Sequence, residues 1–145
     1  AFGFFRMAST SRSGFLTGLA MATHSGTTIL LVEDEVLVAA FLGRVLKQAG
    51  YALVGPCATV REATAMIDEH GHGINGAILD LSLKKGETSI EIAQRLRQMG
   101  IPMMFLTGDD TPLRMEGEEP MVLIKPVSVT RLRGALSDLL AGASQ

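Results

Sequence analysis

The sequence predicts an α/β fold: a five-stranded parallel sheet in the order 2-1-3-4-5, with helices on both faces. Three observations predict it. From Thr27 onward, short apolar runs alternate with helix-period segments in a strand-helix repeat, the pattern of parallel strands joined by helical crossovers. Runs such as Ala77-Ile78-Leu79 and Met103-Met104-Phe105-Leu106 are apolar throughout, as strands covered on both faces are. Right-handed crossovers then leave few topologies, of which 2-1-3-4-5 is the leading one.

Each element has a local reason. Thr28-Ile29-Leu30-Leu31-Val32 is apolar and β-branched and reads as the first, central strand, ending in Glu33-Asp34-Glu35. A helix follows from about Val36 to Ala49, with Val38, Leu42, Val45 and Ala49 on one face, and Gly50 stops it. Ala52-Leu53-Val54-Gly55 is the second strand, closed by Pro56. Val60 to His70 is the second helix, with Ala63, Met66 and Ile67 inward, ended by Gly71 and Gly73. Asn75 to Asp80 is the third strand and Leu83-Lys84-Lys85-Gly86-Glu87 a polar loop. Thr88 or Ser89 caps a third helix that reaches about Met99. Ile101 to Leu106 is the fourth strand, with Pro102 at its start, where no central ladder bond is lost. Gly108, Pro112, Gly117 and Pro120 break the next stretch, so any helix there is short. Met121 to Ile124 is the fifth strand, and Ser128 to about Leu140 the last helix, with Leu132, Ala135, Leu136 and Leu139 facing in.

The 145 residues suggest one domain at 26–142, large enough for a real core. Residues 1–25 hold no period and read as a leader or an over-extended translation start, with Met21 as the natural first residue, or else as a targeting or partner-binding arm; either is expected to be poorly ordered or only loosely docked. A net charge of −2 argues against a nucleic-acid surface. No apolar run approaches the roughly 20 residues that cross a bilayer. Cys57 is the single cysteine, so no internal disulfide forms, and a cytoplasmic setting is the simpler reading. Its position after Pro56 reads as small packing rather than a reactive thiol. His70 and His72 read as a solvated helix end, and Arg131 and Arg133 as a solvated face.

The chemistry lies at strand ends. The first strand ends in Glu33-Asp34, the third in Asp80, the fourth in Thr107 and the fifth in Lys125-Pro126. In a parallel sheet these ends share one edge, where ligands bind. Three converging carboxylates repel one another unless cations sit among them. The ammonium of Lys125 is one such cation. An all-oxygen site without clustered His or Cys suits Mg²⁺ as the other. A carboxylate, a hydroxyl and an ammonium around such a site read as built to accept a phosphoryl group.

Four motifs carry a family resemblance: Ile29-Leu30-Leu31-Val32-Glu33-Asp34-Glu35, Ile78-Leu79-Asp80-Leu81-Ser82-Leu83, Phe105-Leu106-Thr107-Gly108 and Leu123-Ile124-Lys125-Pro126. Together they resemble the receiver domain of bacterial two-component response regulators, a CheY-like domain with flavodoxin-like topology. The likeness spans about Thr27 to Gly142. The stretch from Asp80 to Gly108 is most similar to the stand-alone receivers of alphaproteobacteria.

The resemblance implies roles. Asp80 is expected as the phosphoacceptor, taking a phosphoryl group from a sensor histidine kinase or a histidine phosphotransfer protein. Asp34 is expected to ligate Mg²⁺ directly, Glu33 directly or through water, and the Ser82 backbone carbonyl to join them with Asp80. Thr107 and Lys125 are expected to meet the phosphoryl group, with a cis peptide at Lys125-Pro126 fixing the lysine's direction. With the chain ending just past the last helix, a monomer or weak dimer is expected to signal through a downstream protein target or a phosphorelay, not as an enzyme beyond slow self-dephosphorylation. Ser82 and Asp109, two residues beyond Asp80 and Thr107, stand where receivers tune the phosphoryl lifetime. Three departures matter. Glu33 stands where the family more often has Asp. Val122 stands where many receivers carry Tyr or Phe, the residue that usually reports the switch. The stretch between Thr107 and Met121 is too short and broken for a full helix.

Other readings fit less well. A phosphatase of the haloacid dehalogenase type also uses an aspartyl phosphate, but wants a second Asp where Ser82 stands. A flavodoxin would want a Ser/Thr-rich phosphate loop where Glu33-Asp34-Glu35 lies. A degenerate receiver serving only as a scaffold would have lost a key residue, and none is lost.

Overall fold

A computed structural model describes residues 26–109, 113, 115 and 119–143. The expected leader lies outside these residues. Five parallel strands, β1 (Thr28–Val32), β2 (Ala52–Cys57), β3 (Gly76–Asp80), β4 (Met103–Thr107) and β5 (Met121–Ile124), form one sheet in the order β2-β1-β3-β4-β5. This is the expected class and strand order. Four helices pack on it: α1 (Val36–Gln48), α2 (Val60–His70), α3 (Ile90–Gln98) and α4 (Val129–Ala143).

The apolar runs of the strands divide between two cores because side chains alternate across a sheet. Ile29, Leu31, Ile78, Met104 and Leu106 meet Leu42, Val45 and Leu46 of α1 and Leu132 and Leu136 of α4. Leu30, Val32, Ala77, Leu79 and Phe105 face the other way, onto Ala63 and Ile67 of α2 and Ile92, Ala93 and Leu96 of α3. The three central strands are therefore fixed from both sides, and their carboxyl ends are held to a common edge.

Pro56 does not close the second strand, as local reasoning expects; β2 runs through it to Cys57. The reason is position. As the sheet's edge strand, β2 can carry a residue without an N–H. The pairing slips between Leu30 and Val32 to let it pass, and the Glu33 N–H then donates to the Cys57 carbonyl at 2.8 Å. Gly55 makes the slip possible: its φ is +103°, and a Cβ there would stand 2.6 Å from the Leu31 carbonyl oxygen. The peptide bonds before Pro56 and Pro126 are both cis, the second as expected.

Three boundaries differ. β4 begins at Met103 and extends to Thr107, so the threonine is a strand residue. Ser89 occupies the cap position of α3, but its hydroxyl makes no capping bond and, among the described residues, is buried without a partner. Its N–H is tied to the Leu81 carbonyl, which holds the backbone at φ −87°, ψ 8°, away from the extended geometry a cap requires. α4 starts at Val129, with the Ser128 hydroxyl accepting the Arg131 N–H at 3.1 Å. The expected shortening of a helix between β4 and β5 falls largely outside the described residues; Gly108, Asp109, Leu113, Met115, Glu119 and Pro120 are not helical.

Candidate functional site

The sheet edge assembles the site through register. Val32 pairs with Leu79, Asp80 with Leu106 and Thr107 with Ile124, so the residues just past β1 and β5 flank Asp80 and Thr107. Glu33, Asp34, Asp80 and Thr107 are all buried. Glu33, Asp34 and Asp80 each offer an oxygen within 4.8 Å of the others. Among the described residues this is the one His/Cys/Asp/Glu group arranged to hold a metal ion, and His70 and His72 take no part in it.

Lys125 enters from β5 as the counter-charge. Its Nζ lies 2.8 Å from Glu33 Oε1, 3.2 Å from Asp80 Oδ2 and 3.4 Å from Glu35 Oε1. The contact to Glu33 is a charge contact whose angle leaves the buried Oε1 without a hydrogen bond. Its other oxygen accepts the Glu35 N–H at 3.1 Å. The lysine's own backbone N–H donates to the Thr107 carbonyl at 2.7 Å, fastening the end of β5 to the end of β4.

One ammonium is too little charge for this many acids. Burial, then the neighbouring Glu33, push the Asp80 carboxyl up to about 7, against the pull of Lys125. Burial works to lower the pKa of Lys125, but Glu33 and Asp80 outweigh it and hold the ammonium above its ordinary value.

Ser82 and Thr107 frame the cluster. The Ser82 N–H donates to Asp80 Oδ1 at 3.3 Å. The Thr107 hydroxyl accepts the Asp109 N–H at 3.4 Å and, among the described residues, makes no hydrogen bond to Asp80. It therefore stands at the rim, one residue past the partner of Asp80. Val122 is partly buried against the core under α2 and α3. Cys57 lies in that same core, and burial pushes its thiol up to about 11, in keeping with a packing role.

The expected set thus converges: Glu33, Asp34 and Asp80 cluster, Lys125 pairs with two of them, and Ser82 and Thr107 stand beside them. Sequence reasoning does not identify Glu35 as a partner of Lys125. The run of three acids is visible, but a contact 90 residues apart has no local signal.

The same residues are matched from outside. The model of the response regulator receiver domain family matches residues 29–137. The transcriptional regulatory protein TcrA of Mycobacterium tuberculosis is 32% identical over 136 residues, covering 90% of this chain and 52% of TcrA. The phyllosphere-induced regulator PhyR of Methylorubrum extorquens is 29% identical over 127 residues, covering 85% of this chain and 47% of PhyR. The chain thus spans about half the length of these curated relatives. The solution structure of SdrG from Sphingomonas melonis Fr1 superposes with a TM-score of 0.68 at 37% identity, over 79% of this chain and 96% of SdrG. With the fold, the strand-end residues and the family match in agreement, the chain belongs to the response regulator receiver domain family.

Proposed function

We propose that the domain accepts a phosphoryl group on Asp80 in a Mg²⁺-dependent reaction and signals by changing what it binds or by passing the group on. The observation that carries this reading is the buried trio of Glu33, Asp34 and Asp80 at the sheet edge, with Lys125 as its single ammonium. The donor is the phosphohistidine of a histidine kinase or a histidine phosphotransfer protein. The setting is cytoplasmic, and the acting form a monomer or weak dimer.

The residues present fit Mg²⁺. All donors are oxygens, which a hard cation prefers, and the buried Glu33 Oε1 lacks a hydrogen bond. Glu33, Asp34, Asp80 and the Ser82 carbonyl would hold the ion. An ion held there would offset carboxylate repulsion and would favour phosphoryl oxygens at the edge.

In the transfer, an Asp80 carboxylate oxygen attacks phosphorus. The P–N bond to the donor histidine breaks and its electron pair leaves with the imidazole. Lys125, already 3.2 Å from Asp80, pairs with the new phosphoryl oxygens. The Thr107 hydroxyl turns from Asp109 to donate to them. Because Lys125 and Thr107 share a backbone hydrogen bond, both strand ends respond together. The loops after β4 and β5 shift, and a partner that prefers one state reads the shift.

The test is incubation with acetyl phosphate, with and without Mg²⁺, followed by intact-mass measurement. One phosphoryl group should add in the presence of Mg²⁺ and none to Asp80→Asn. Equal labelling of that variant would overturn the assignment, and sustained turnover of unrelated phosphate esters would favour a phosphatase.

A further inference from the structure

The loop between β3 and α3 is a small hairpin. Ser82 and Thr88 face each other in an isolated antiparallel bridge. Its two bonds run from the Leu83 N–H to the Glu87 carbonyl, at 2.8 Å, and from the Ser89 N–H to the Leu81 carbonyl, at 3.1 Å. Those bonds belong to the flanking residues, so Ser82 and Thr88 are the non-hydrogen-bonded pair. The N–H and C=O of Ser82 therefore both point out of the hairpin, toward one side. That side holds Asp80, because the Ser82 N–H donates to its Oδ1 at 3.3 Å. The hairpin thus aims the Ser82 carbonyl at the acid cluster.

A hairpin with one bridge is too small to hold itself. Its tip is strained, with Lys85 at φ +63° and a long Glu87 N–H to Lys84 carbonyl bond of 3.4 Å. Two anchors fix it. Leu83 is buried in the core under α2 and α3. Glu87 Oε1 accepts the Val60 N–H at 3.2 Å. Val60 is the first residue of α2, so its N–H has no partner within the helix. Two neighbouring donors have other acceptors: Thr59 Oγ1 takes the Glu62 N–H and Glu62 Oε1 takes the Ala58 N–H.

We propose that Glu87 is a positioning residue for cation binding: its bond to the Val60 N–H pins the hairpin to α2 and holds the Ser82 carbonyl beside Glu33, Asp34 and Asp80. This rests on the Mg²⁺ reading above. It assigns a role to a residue that touches neither ion nor phosphoryl group.

The partner can be deleted as cleanly as Glu87. Proline is well suited to the first position of a helix, where it lacks only the N–H. Thr59 before it is extended, at φ −136°, ψ 161°, as a residue preceding proline should be. Mg²⁺ titrations followed by the Ser82 and Asp80 amide signals in NMR would compare wild type, Glu87→Ala, Glu87→Gln, Val60→Pro and the Glu87→Ala/Val60→Pro double variant. Glu87→Ala and Val60→Pro should each weaken Mg²⁺ binding about three- to tenfold, the scale of one ordinary exposed hydrogen bond. Glu87→Gln keeps the acceptor oxygen and should stay within about twofold of wild type. The double variant should lose no more than either single one, because both remove the same bond. At saturating Mg²⁺, labelling by acetyl phosphate should return to the wild-type rate in all of them. Unaltered Mg²⁺ affinity in Glu87→Ala, or losses that add in the double variant, would overturn the role of Glu87 while leaving the phosphoacceptor reading intact. A wild-type protein that binds no Mg²⁺ would overturn both.

Discussion

Replacing Asp80, the proposed phosphoacceptor, should stabilise the metal-free protein. The Asp80 carboxyl is pushed up to about 7 from 3.8, first by burial and then by Glu33, with Lys125 opposing. A carboxyl raised in the folded state favours folding while it is protonated. That contribution is present in full below the unfolded value near 4 and is lost as the pH rises through about 7. At about 1.4 kcal/mol per pH unit, the gap corresponds to at most ~4 kcal/mol. Asparagine removes the charge but keeps an oxygen for the Ser82 N–H, and its amide can donate to Glu33 Oε1, which otherwise has only the ion pair with Lys125. It loses the attraction of Lys125, which keeps Glu33 at 2.8 Å. The net expectation for Asp80→Asn is a gain of about 1–2 kcal/mol at pH 8 in EDTA. Urea unfolding followed by circular dichroism, at pH 8 and pH 5, reads it as a shift in midpoint at constant slope. The advantage should shrink by pH 5, where the wild-type carboxyl is already protonated. Added Mg²⁺ should raise the wild type more than the variant. An Asp80→Asn protein less stable than wild type at pH 8, or an advantage indifferent to pH, would refute the reasoning.

Two further outcomes follow from the same geometry. Lys125→Met leaves Glu33 and Asp80 buried without their ammonium, so it should cost about 2 kcal/mol in EDTA and recover much of that loss in Mg²⁺, as read by the same urea titration. Cys57 is 2% exposed and its thiol is pushed up to about 11, so a thiol reagent at pH 8 should modify the folded protein at least about a hundredfold more slowly than the urea-unfolded chain.

The amino-acid sequence makes legible what a short stretch decides by itself. A buried strand that ends in an acid shows as an abrupt change of polarity, so Glu33, Asp34, Asp80, Thr107 and Lys125 can all be placed at strand ends from the residues alone. The parallel arrangement then brings them to one edge. Where the fold departs from local reasoning, the departures have one cause. Pro56 reads as a stop because a proline breaks a central strand, but whether β2 is central or at the edge is decided by the whole sheet. Ser89 reads as a cap because serine suits that place, but its backbone is committed to Leu81 by the hairpin. The links from Glu35 to Lys125 and from Glu87 to Val60 join residues 90 and 27 positions apart, where no periodicity points.

Those distant links bear on how a change at Asp80 would be passed on. Lys125 ties β5 to the end of β1 through Glu33 and Glu35 and to β3 through Asp80. In the proposed reaction, a phosphoryl group on Asp80 would offer it a stronger partner and draw it from β1. The Lys125 backbone is bonded to Thr107, so the end of β4 must follow. Ile124 and Val129, on either side of this lysine, are 42% and 43% exposed. An apolar side chain on each side of the moving residue can change what it presents without an aromatic at Val122 having to turn. Such a rearrangement would leave the hairpin of residues 81–89 in place, because Glu87 and Leu83 fasten it to α2 and the core rather than to β5. On the proposed reading, the site would therefore have a fixed side to hold a cation and a movable side to carry the signal.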